Sequence, residues 1–266
     1  MNGSSNNFRL SFLFIGVILV IGSIIFCADH TIASSHFNEI ITGKSKPGWF
    51  WNQPVNCGMT AAGIARHSVI YPENSKKAAR ENGIHNYMRQ IESLHTGGQA
   101  FSITERGAVW LGDDQVETYD ETRLEELTES LPLLDYQVAG NLALVLLGPE
   151  TCRDETANRK RPYPLMHRPA WVDRSPSARG IIYAVGTSVG YYYSESSWER
   201  AEREARRNLS ASIQSRIHGL TDQQTGMSHE IIYTDHEVTL RDAVVQSRYY
   251  DQISDLYYVL VRMPLR

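Results

Sequence analysis

The chain has 266 residues, enough for one large domain or two small ones. Hydrophobic residues make up 42% of it and charged residues 21%, which is typical of a folded protein and excludes disorder throughout. The 30 acidic residues outnumber the 26 basic ones. Because general nucleic-acid binding needs a surplus of basic side chains, no nucleic acid is expected among the partners.

The N-terminal segment is the most apolar part of the chain. Leu10 to Ala28 is broken only by two serines and two glycines. As a helix it would be roughly 28 Å long, close to the thickness of a bilayer core. The following Thr31-Ile32-Ala33 also fits the cleavage site of an export signal. We therefore expect residues 1–33 to be a retained membrane anchor or a cleaved signal peptide, and residues 34–46 to be a spacer.

Cys27 lies at the end of this apolar run, where a bacterial lipoprotein carries its lipidated cysteine. That motif places a small residue before the cysteine, and here Phe26 precedes it. The alternative is a thiol buried in the apolar segment. In either case the protein is expected to be exported, and to reside in the periplasm or at the outer membrane.

The rest of the chain contains an internal duplication. Pro47-Gly48-Trp49 recurs 122 residues later as Pro169-Ala170-Trp171. The same offset relates several further residues, namely Pro54, Gly58, Ser75, Ala79, Asn86 and Ile91, to identical ones. The sequence therefore predicts repeat one at residues 47–149 and repeat two at residues 168–266. Residues 150–167, with the basic triplet Arg159-Lys160-Arg161, are expected to be an exposed linker.

Repeat two shows the predicted architecture most clearly. A short strand over 181–186 is followed by serines that offer helix caps, Ser194, Ser196 and Ser197. The helix has an apolar stripe of Trp198, Ala201, Ala205, Leu209, Ile213 and Ile217. Its charged residues, including the (i, i+4) pair Glu202 and Arg206, are expected on a solvated face. A hairpin over 243–250 and 256–261 completes the repeat.

Repeat one follows the same plan. It has a strand over 60–64, a helix capped by Ser75, and a hairpin over 133–138 and 142–147. Its extra residues predict a hairpin around Gly112-Asp113-Asp114 and a short acidic helix near Leu124 to Leu127. The predicted fold class is α+β, with two tandem small α/β modules, each a helix packed on a short, mostly antiparallel sheet.

The strings of repeat two carry a resemblance to a known family. They are Pro169-Ala170-Trp171, Ile182 to Gly186, Ala201 to Leu209 and Leu256 to Pro264. Together they resemble the small bacterial membrane-associated lipoprotein family that includes the flagellar lipoprotein FlgP, and the N-terminal domain of the flagellar assembly protein FlgT. The resemblance implies an exported protein that works in an envelope or flagellar assembly. The domain occurs twice here, whereas FlgP-like members carry one copy.

Signatures of catalysis are sparse. The nine histidines are scattered, and neither a Gly-rich phosphate loop nor a Gly-x-Ser-x-Gly elbow occurs. We therefore expect no catalytic residue, no metal site and no cofactor. Paired carboxylates in repeat one, Asp113-Asp114 and Glu125-Glu126, would serve a hydrolase only if two acids faced each other across a cleft.

Two other groups of residues are candidates for a structural or binding role. Cys57 and Cys152 flank repeat one and would form a disulfide in an oxidising compartment, the alternative being two separate thiols. Tyr191, Tyr192 and Tyr193 are candidates for an interface, because exposed tyrosines are enriched at protein contacts. Sheet packing is the alternative.

The sequence thus predicts a non-enzymatic structural or assembly protein of the cell envelope, with a flagellar accessory role as the first specific expectation. Its expected partners are other copies of itself or envelope and flagellar proteins, and the membrane through the N-terminus. One alternative is a periplasmic adaptor that binds peptidoglycan or another envelope polymer. The other is an envelope hydrolase.

Overall fold

The structure, a computed structural model, describes residues 46–104, 107–113, 116–161, 167–218 and 231–265. These residues belong to one compact unit. The N-terminal apolar run and Cys27 lie outside the described residues, so the predictions made for them stay predictions.

Repeat one contains three helices and six strands among its described residues, and a short helix follows in the linker. In chain order they are α1 (Gly48–Trp51), β1 (Ala61–Arg66), α2 (Pro72–Ile91), β2 (Glu92–Thr104), β3 (Gly107–Asp113), β4 (Val116–Thr118), α3 (Leu124–Ser130), β5 (Leu133–Ala139) and β6 (Leu142–Leu147). A 3-10 turn, Glu150–Cys152, leads into the linking helix α4 (Arg153–Asn158).

Repeat two is simpler. Its described elements are α5 (Ala170–Asp173), β7 (Ile181–Val189), α6 (Ser194–His218), β8 (Ile231–Arg241), β9 (Val244–Asp251) and β10 (Leu256–Pro264). The prediction of a mixed α+β fold with small antiparallel sheets and packed helices is confirmed.

Each repeat builds one three-stranded antiparallel sheet with a central closing strand. The strand orders are β1-β6-β5 and β7-β10-β9. The predicted hairpins are the pairs β5–β6 and β9–β10. In the register, Arg66 lies opposite Leu142 and Val189 opposite Leu256. The turn of each hairpin therefore lies at the same sheet end as the loop that leads into the long helix.

A third sheet joins the two repeats. Strand β2 of repeat one pairs with β8 of repeat two over eleven residues, from Glu92 opposite Arg241 to Ser102 opposite Ile231. At its other edge, β2 pairs with both β3 and β4. The two repeats therefore share main-chain hydrogen bonds, and the contact between them is part of the fold.

Helix α1 of repeat one fills the core of repeat two. Trp49 and Phe50 are fully buried, and the Phe50 ring packs edge-on against Trp198 of α6 at 5.2 Å. The equivalent helix α5 has no buried residue. The duplicated Pro-x-Trp segments thus have different surroundings, which the repeated sequence does not indicate.

Three sequence predictions need correction. Helix α2 begins at Pro72, so Ser75 lies inside its first turn and is not its cap. The hairpin expected around Gly112-Asp113-Asp114 is wrongly placed, because Gly112 and Asp113 lie within β3, which pairs with the preceding strand β2. The expected linker is not an exposed loop throughout: α4 occupies part of it, and the carbonyls of Arg159 and Arg161 accept hydrogen bonds from Trp49 and Gly48.

Candidate functional site

Apolar side chains gather at one end of the molecule, which we call the loop end. Ten large hydrophobic side chains are exposed where the structure describes side chains, and eight of them lie there. They come from the loop between β1 and α2, the end of β7 with the loop before α6, and the turn between β9 and β10. The eight are Val69, Ile70, Tyr71, Val189, Tyr191, Tyr192, Tyr193 and Ile253.

The two loops are brought together by direct contact between the repeats. The Arg66 guanidinium, at the end of β1, lies 4.7 Å from the ring centre of Tyr193. On the repeat-two side, Gly190 donates its backbone N–H to the carbonyl of Asp255 at 2.9 Å, which fixes the β9–β10 turn against the tyrosine loop. The loop end is therefore one continuous surface drawn from both repeats.

Equivalent serines hold the two loops in place. The Ser75 hydroxyl accepts the N–H of Ser68 at 2.8 Å, and the Ser197 hydroxyl accepts the N–H of Tyr191 at the same distance. Ser75 and Ser197 are 122 residues apart and both buried. These hydroxyls satisfy loop donors, so the loops are anchored at their bases while their apolar tips stand in solvent.

The tips of these loops are highly exposed. The exposed fractions are 78% for Ile70, 89% for Tyr192 and 100% for Ile253. Tyr193 packs edge-on against Tyr192 at 4.8 Å, and this contact supports the outermost ring. The predicted interface residues Tyr191, Tyr192 and Tyr193 are thus exposed in a loop, although their use in an interface stays a prediction.

Sequence reasoning named three of the eight residues of this surface and missed the other five. Val69-Ile70-Tyr71 aligns with Tyr191-Tyr192-Tyr193 at the same offset of 122 that relates the repeats. Comparing the composition of the aligned loops would have revealed the second apolar tripeptide. The meeting of the two loops at one end was not available from that comparison, because it depends on how the repeats pack.

A polar seam lies between α2 and α6, and its side chains surround a cavity of about 200 Å³. The lining residues are Asn82, His85, Asn86, Arg89, Tyr119, Glu199, Glu202, Arg203 and Arg206. Asn82 donates to Glu199 at 2.8 Å and so joins the two helices. Tyr119 contacts both His85 and Arg89, at 3.0 and 3.3 Å between the polar atoms.

Burial and the neighbouring charge of Glu202 raise the pKa of Glu199, although Arg89 and Arg203 act in the opposite direction. Burial also raises the pKa of Tyr119. These side chains interact chiefly with one another across the seam. The arrangement fixes the relative position of the two helices.

Two buried ion pairs flank the seam. Arg248 of β9 pairs with Glu202 at 2.6 Å and also donates to the carbonyl of Phe50 at 3.0 Å. Arg206 donates to Glu117 of β4. The sequence placed Glu202 and Arg206 on a solvated face, and that prediction is wrong, since they are 2% and 3% exposed. Arg248 of β9 and Glu117 of β4 supply partners of opposite charge for these two residues, whereas Arg200 and Arg203 of the same helix are exposed as expected.

The Glu117 carboxyl has a lowered pKa. Burial on its own would raise the pKa, but the charge of Arg206 and its hydrogen bond outweigh that effect, and His95 and Arg89 add to it. The pKa of Arg206 is raised: its burial is outweighed by the charge of Glu117 and the hydrogen bond to it. The pair is therefore ionised at neutral pH and stabilises the contact between α6 and the shared sheet.

Cys57 and Cys152 form a disulfide, as predicted from their positions, with their Cα atoms 5.0 Å apart. The bond joins the segment before β1 to the turn after β6. It closes a chain segment with a sequence separation of 95 residues. The chain-entropy relation gives a stabilisation of about 4–5 kcal/mol for a loop of this length.

Of the acids considered for a hydrolase, Asp114 and the side chain of Asp113 lie outside the part of the chain that the structure describes. Glu125 and Glu126 lie in the first turn of α3, where Glu126 pairs with Arg123 at 3.2 Å. Among the residues that the structure describes, no group of three or more His, Cys, Asp or Glu side chains is placed to hold a metal ion. Within the same part of the chain, no helix has the length and apolar composition needed to cross a bilayer.

No protein-family model, no curated protein and no solved structure matches the chain. The resemblance to the flagellar lipoprotein family therefore stays a prediction, carried by the sequence strings alone.

Proposed function

We propose that this protein is a non-enzymatic structural or assembly component of a bacterial cell envelope. It is exported, and its N-terminal segment either holds it at a membrane or is cleaved to release it into the periplasm. The loop end is the surface through which it docks. A flagellar accessory role, the most specific form of the proposal, rests on the family resemblance alone.

One observation carries the proposal: of the ten large hydrophobic side chains that are exposed in the described part of the chain, eight lie at one end of the body. Scattered apolar side chains are normal on a protein surface, whereas a contiguous set marks a contact site. The duplication supports this interpretation, because both repeats place an apolar tripeptide in the same loop. The ion pairs and hydrogen bonds of the seam support a structural role for the contact between α2 and α6.

The first test is the state of the protein in its native host. We would measure the mature N-terminus, the mass and the elution volume of the purified protein. A start at Cys27 with added lipid mass, or retention of residues 10–28, together with a large assembly, supports the proposal. A start near Ser34 and a monomer would exclude anchored assembly and favour a soluble periplasmic adaptor.

A second test removes the apolar tips. The double variant Ile70→Ser/Tyr192→Ser is expected to fold, because both side chains are exposed. It is expected to lose its large assembly or, where the N-terminal segment is cleaved, its association with the envelope fraction. Leu265→Ser is the matched control, since Leu265 is also exposed but lies at the other end of β10, beside Gly180. Equal behaviour of the two variants would exclude the loop end as the docking surface.

A further inference from the structure

We infer that the loop end seats on the surface of a lipid bilayer, with its aliphatic and tyrosine tips in the headgroup region. This inference rests on the proposed function, because it names the partner of the same docking surface. The alternative occupant, a second copy of the chain, is an outcome of the test below.

The shape of the surface favours a bilayer. Ile70, Tyr192 and Ile253 project into solvent, with exposed fractions between 78% and 100%. A protein partner would need a matching cavity for each protruding side chain to reach the packing density of a stable interface. A bilayer surface is fluid and accommodates protruding loops without such cavities.

The chemistry of the side chains also favours a bilayer. Four of the eight are tyrosines and four are aliphatic, and none is charged. Tyrosine is enriched at the membrane–water interface because its ring is apolar while its hydroxyl keeps a hydrogen bond with water or headgroups. Arg66, held against Tyr193 at the edge of the surface, lies where its guanidinium would meet lipid phosphates.

The charged side chains around the loop end predict which lipids this surface binds. Arg66 is accompanied by two carboxylates in the β9–β10 turn. Asp251 pairs with Arg168 at 3.0 Å, and Asp255 accepts a hydrogen bond from the Tyr250 hydroxyl at 2.9 Å. Because these segments do not form a basic cluster, attraction to anionic lipids is not the driving force. We therefore expect seating on zwitterionic phosphatidylcholine membranes and little dependence on salt.

The path of the chain is compatible with this seating. Lys46 contacts the Trp51 ring, with 5.6 Å from its ammonium to the ring centre, and Trp51 packs on Trp198 near the start of α6. The chain thus enters the body near the helix end that carries the tyrosine loop. The 17 residues from 29 to 45 have a maximum reach of roughly 60 Å, so a membrane-held apolar run allows the loop end to meet the same membrane.

The experiment measures the depth of single positions in the full chain reconstituted in phosphatidylcholine vesicles. Cys27→Ser removes the one cysteine besides Cys57 and Cys152, which form the disulfide. Ile70→Cys, Tyr192→Cys or Leu265→Cys then introduces one site for a nitrobenzoxadiazole label. The inference predicts a blue shift and loss of emission with nitroxide-labelled lipids at positions 70 and 192. Position 265, also exposed but at the other end of β10, is expected to keep its emission.

Four other outcomes would contradict the inference, and they differ in what they say about the proposed function. Equal quenching at all three positions, or none at 70 and 192, overturns the inference. Quenching that requires anionic lipid and disappears with salt overturns its apolar basis. If positions 70 and 192 are unquenched but cross-link between copies, a second copy occupies the surface and the proposed function survives. If positions 70 and 192 show no quenching and no cross-linking, both the inference and the proposed docking role of the loop end lose their support.

Discussion

At the scale of single residues, burial is decided by what the rest of the chain places beside a side chain. Glu202 and Arg206 occupy helix positions that look solvated in the sequence, and each is buried against an opposite charge from another strand. Removing one partner of such a pair leaves an uncompensated buried charge, which costs more than an exposed pair contributes. The helix pattern alone contains no information on these partners.

The pair of Glu117 and Arg206 leads to a prediction about pH. Because the folded-state pKa of Glu117 is lowered, the pair contributes stability above the unfolded pKa of about 4.3, and loses it as the pH falls through the folded value. Glu117→Gln is therefore expected to lower the free energy of unfolding by about 3 kcal/mol at neutral pH, and by progressively less in acid. Urea unfolding of both proteins between neutral pH and about pH 3 measures this difference.

The matched control is Glu129→Gln on the exposed end of α3, which is expected to change stability little at any pH. A destabilisation by Glu117→Gln that stays constant down to the most acidic condition would show that the charge of Glu117 is not what stabilises the contact.

At the scale of elements, each long helix packs on its strand at a glycine. A Cβ added to Gly63 would lie 1.9 Å from the Ala79 carbonyl oxygen, and one added to Gly186 would lie 2.1 Å from that of Ala201. Both glycines occupy the position where the backbone of the helix comes closest to the strand. The small residues of the helix stripe, predicted from the sequence, are therefore matched by a glycine on the strand.

Gly186→Ala is expected to force α6 away from β7 and to lower the free energy of unfolding by more than about 3 kcal/mol. Thr187→Ala, at the next and exposed position of the strand, is expected to change it by less than about 1 kcal/mol. Chemical denaturation followed by circular dichroism compares the two variants. Where Gly186→Ala yields no folded protein, Gly63→Ala tests the same contact in repeat one, and wild-type stability of either glycine variant would contradict the close approach.

At the scale of the whole molecule, the two repeats are joined by main-chain hydrogen bonds between strands and by buried side chains that pack across their boundary. The eleven-residue pairing of β2 with β8 and the burial of α1 beside Trp198 both cross the boundary between repeats. Neither repeat would keep its observed surroundings without the other. The loop end depends on the same arrangement, since its apolar tips come from both repeats.

The full chain in mild detergent is therefore expected to unfold in one cooperative transition. Far-UV circular dichroism reports all elements, and tryptophan fluorescence includes Trp49, Trp51 and Trp198 at the junction, so the two curves should coincide. Reducing the disulfide between Cys57 and Cys152 should lower the midpoint and leave a single transition. Two separate transitions, reproduced at two protein concentrations, would show that the repeats unfold independently.

The sequence by itself determined the duplication, the mixed α+β class, the helix stripe, the two hairpins and the cysteine pair. These follow from local patterns, because periodicity and turn residues act over a few positions and an offset of 122 is visible by comparison. The exposed tyrosine loop was also within reach, since its neighbours in the chain mark the end of a strand and the start of a helix.

Only the tertiary structure decided which charges are buried, where the two copies of the Pro-x-Trp segment lie, and which loops form one surface. The shared strand pairing, the insertion of α1 into the core of repeat two and the stacking of Arg66 on Tyr193 each join residues distant in sequence. Contacts of this kind form when helices and strands pack together, after the local sequence pattern has already determined each element. Several arrangements of the two repeats therefore agree with the sequence pattern, and side-chain packing selects one of them.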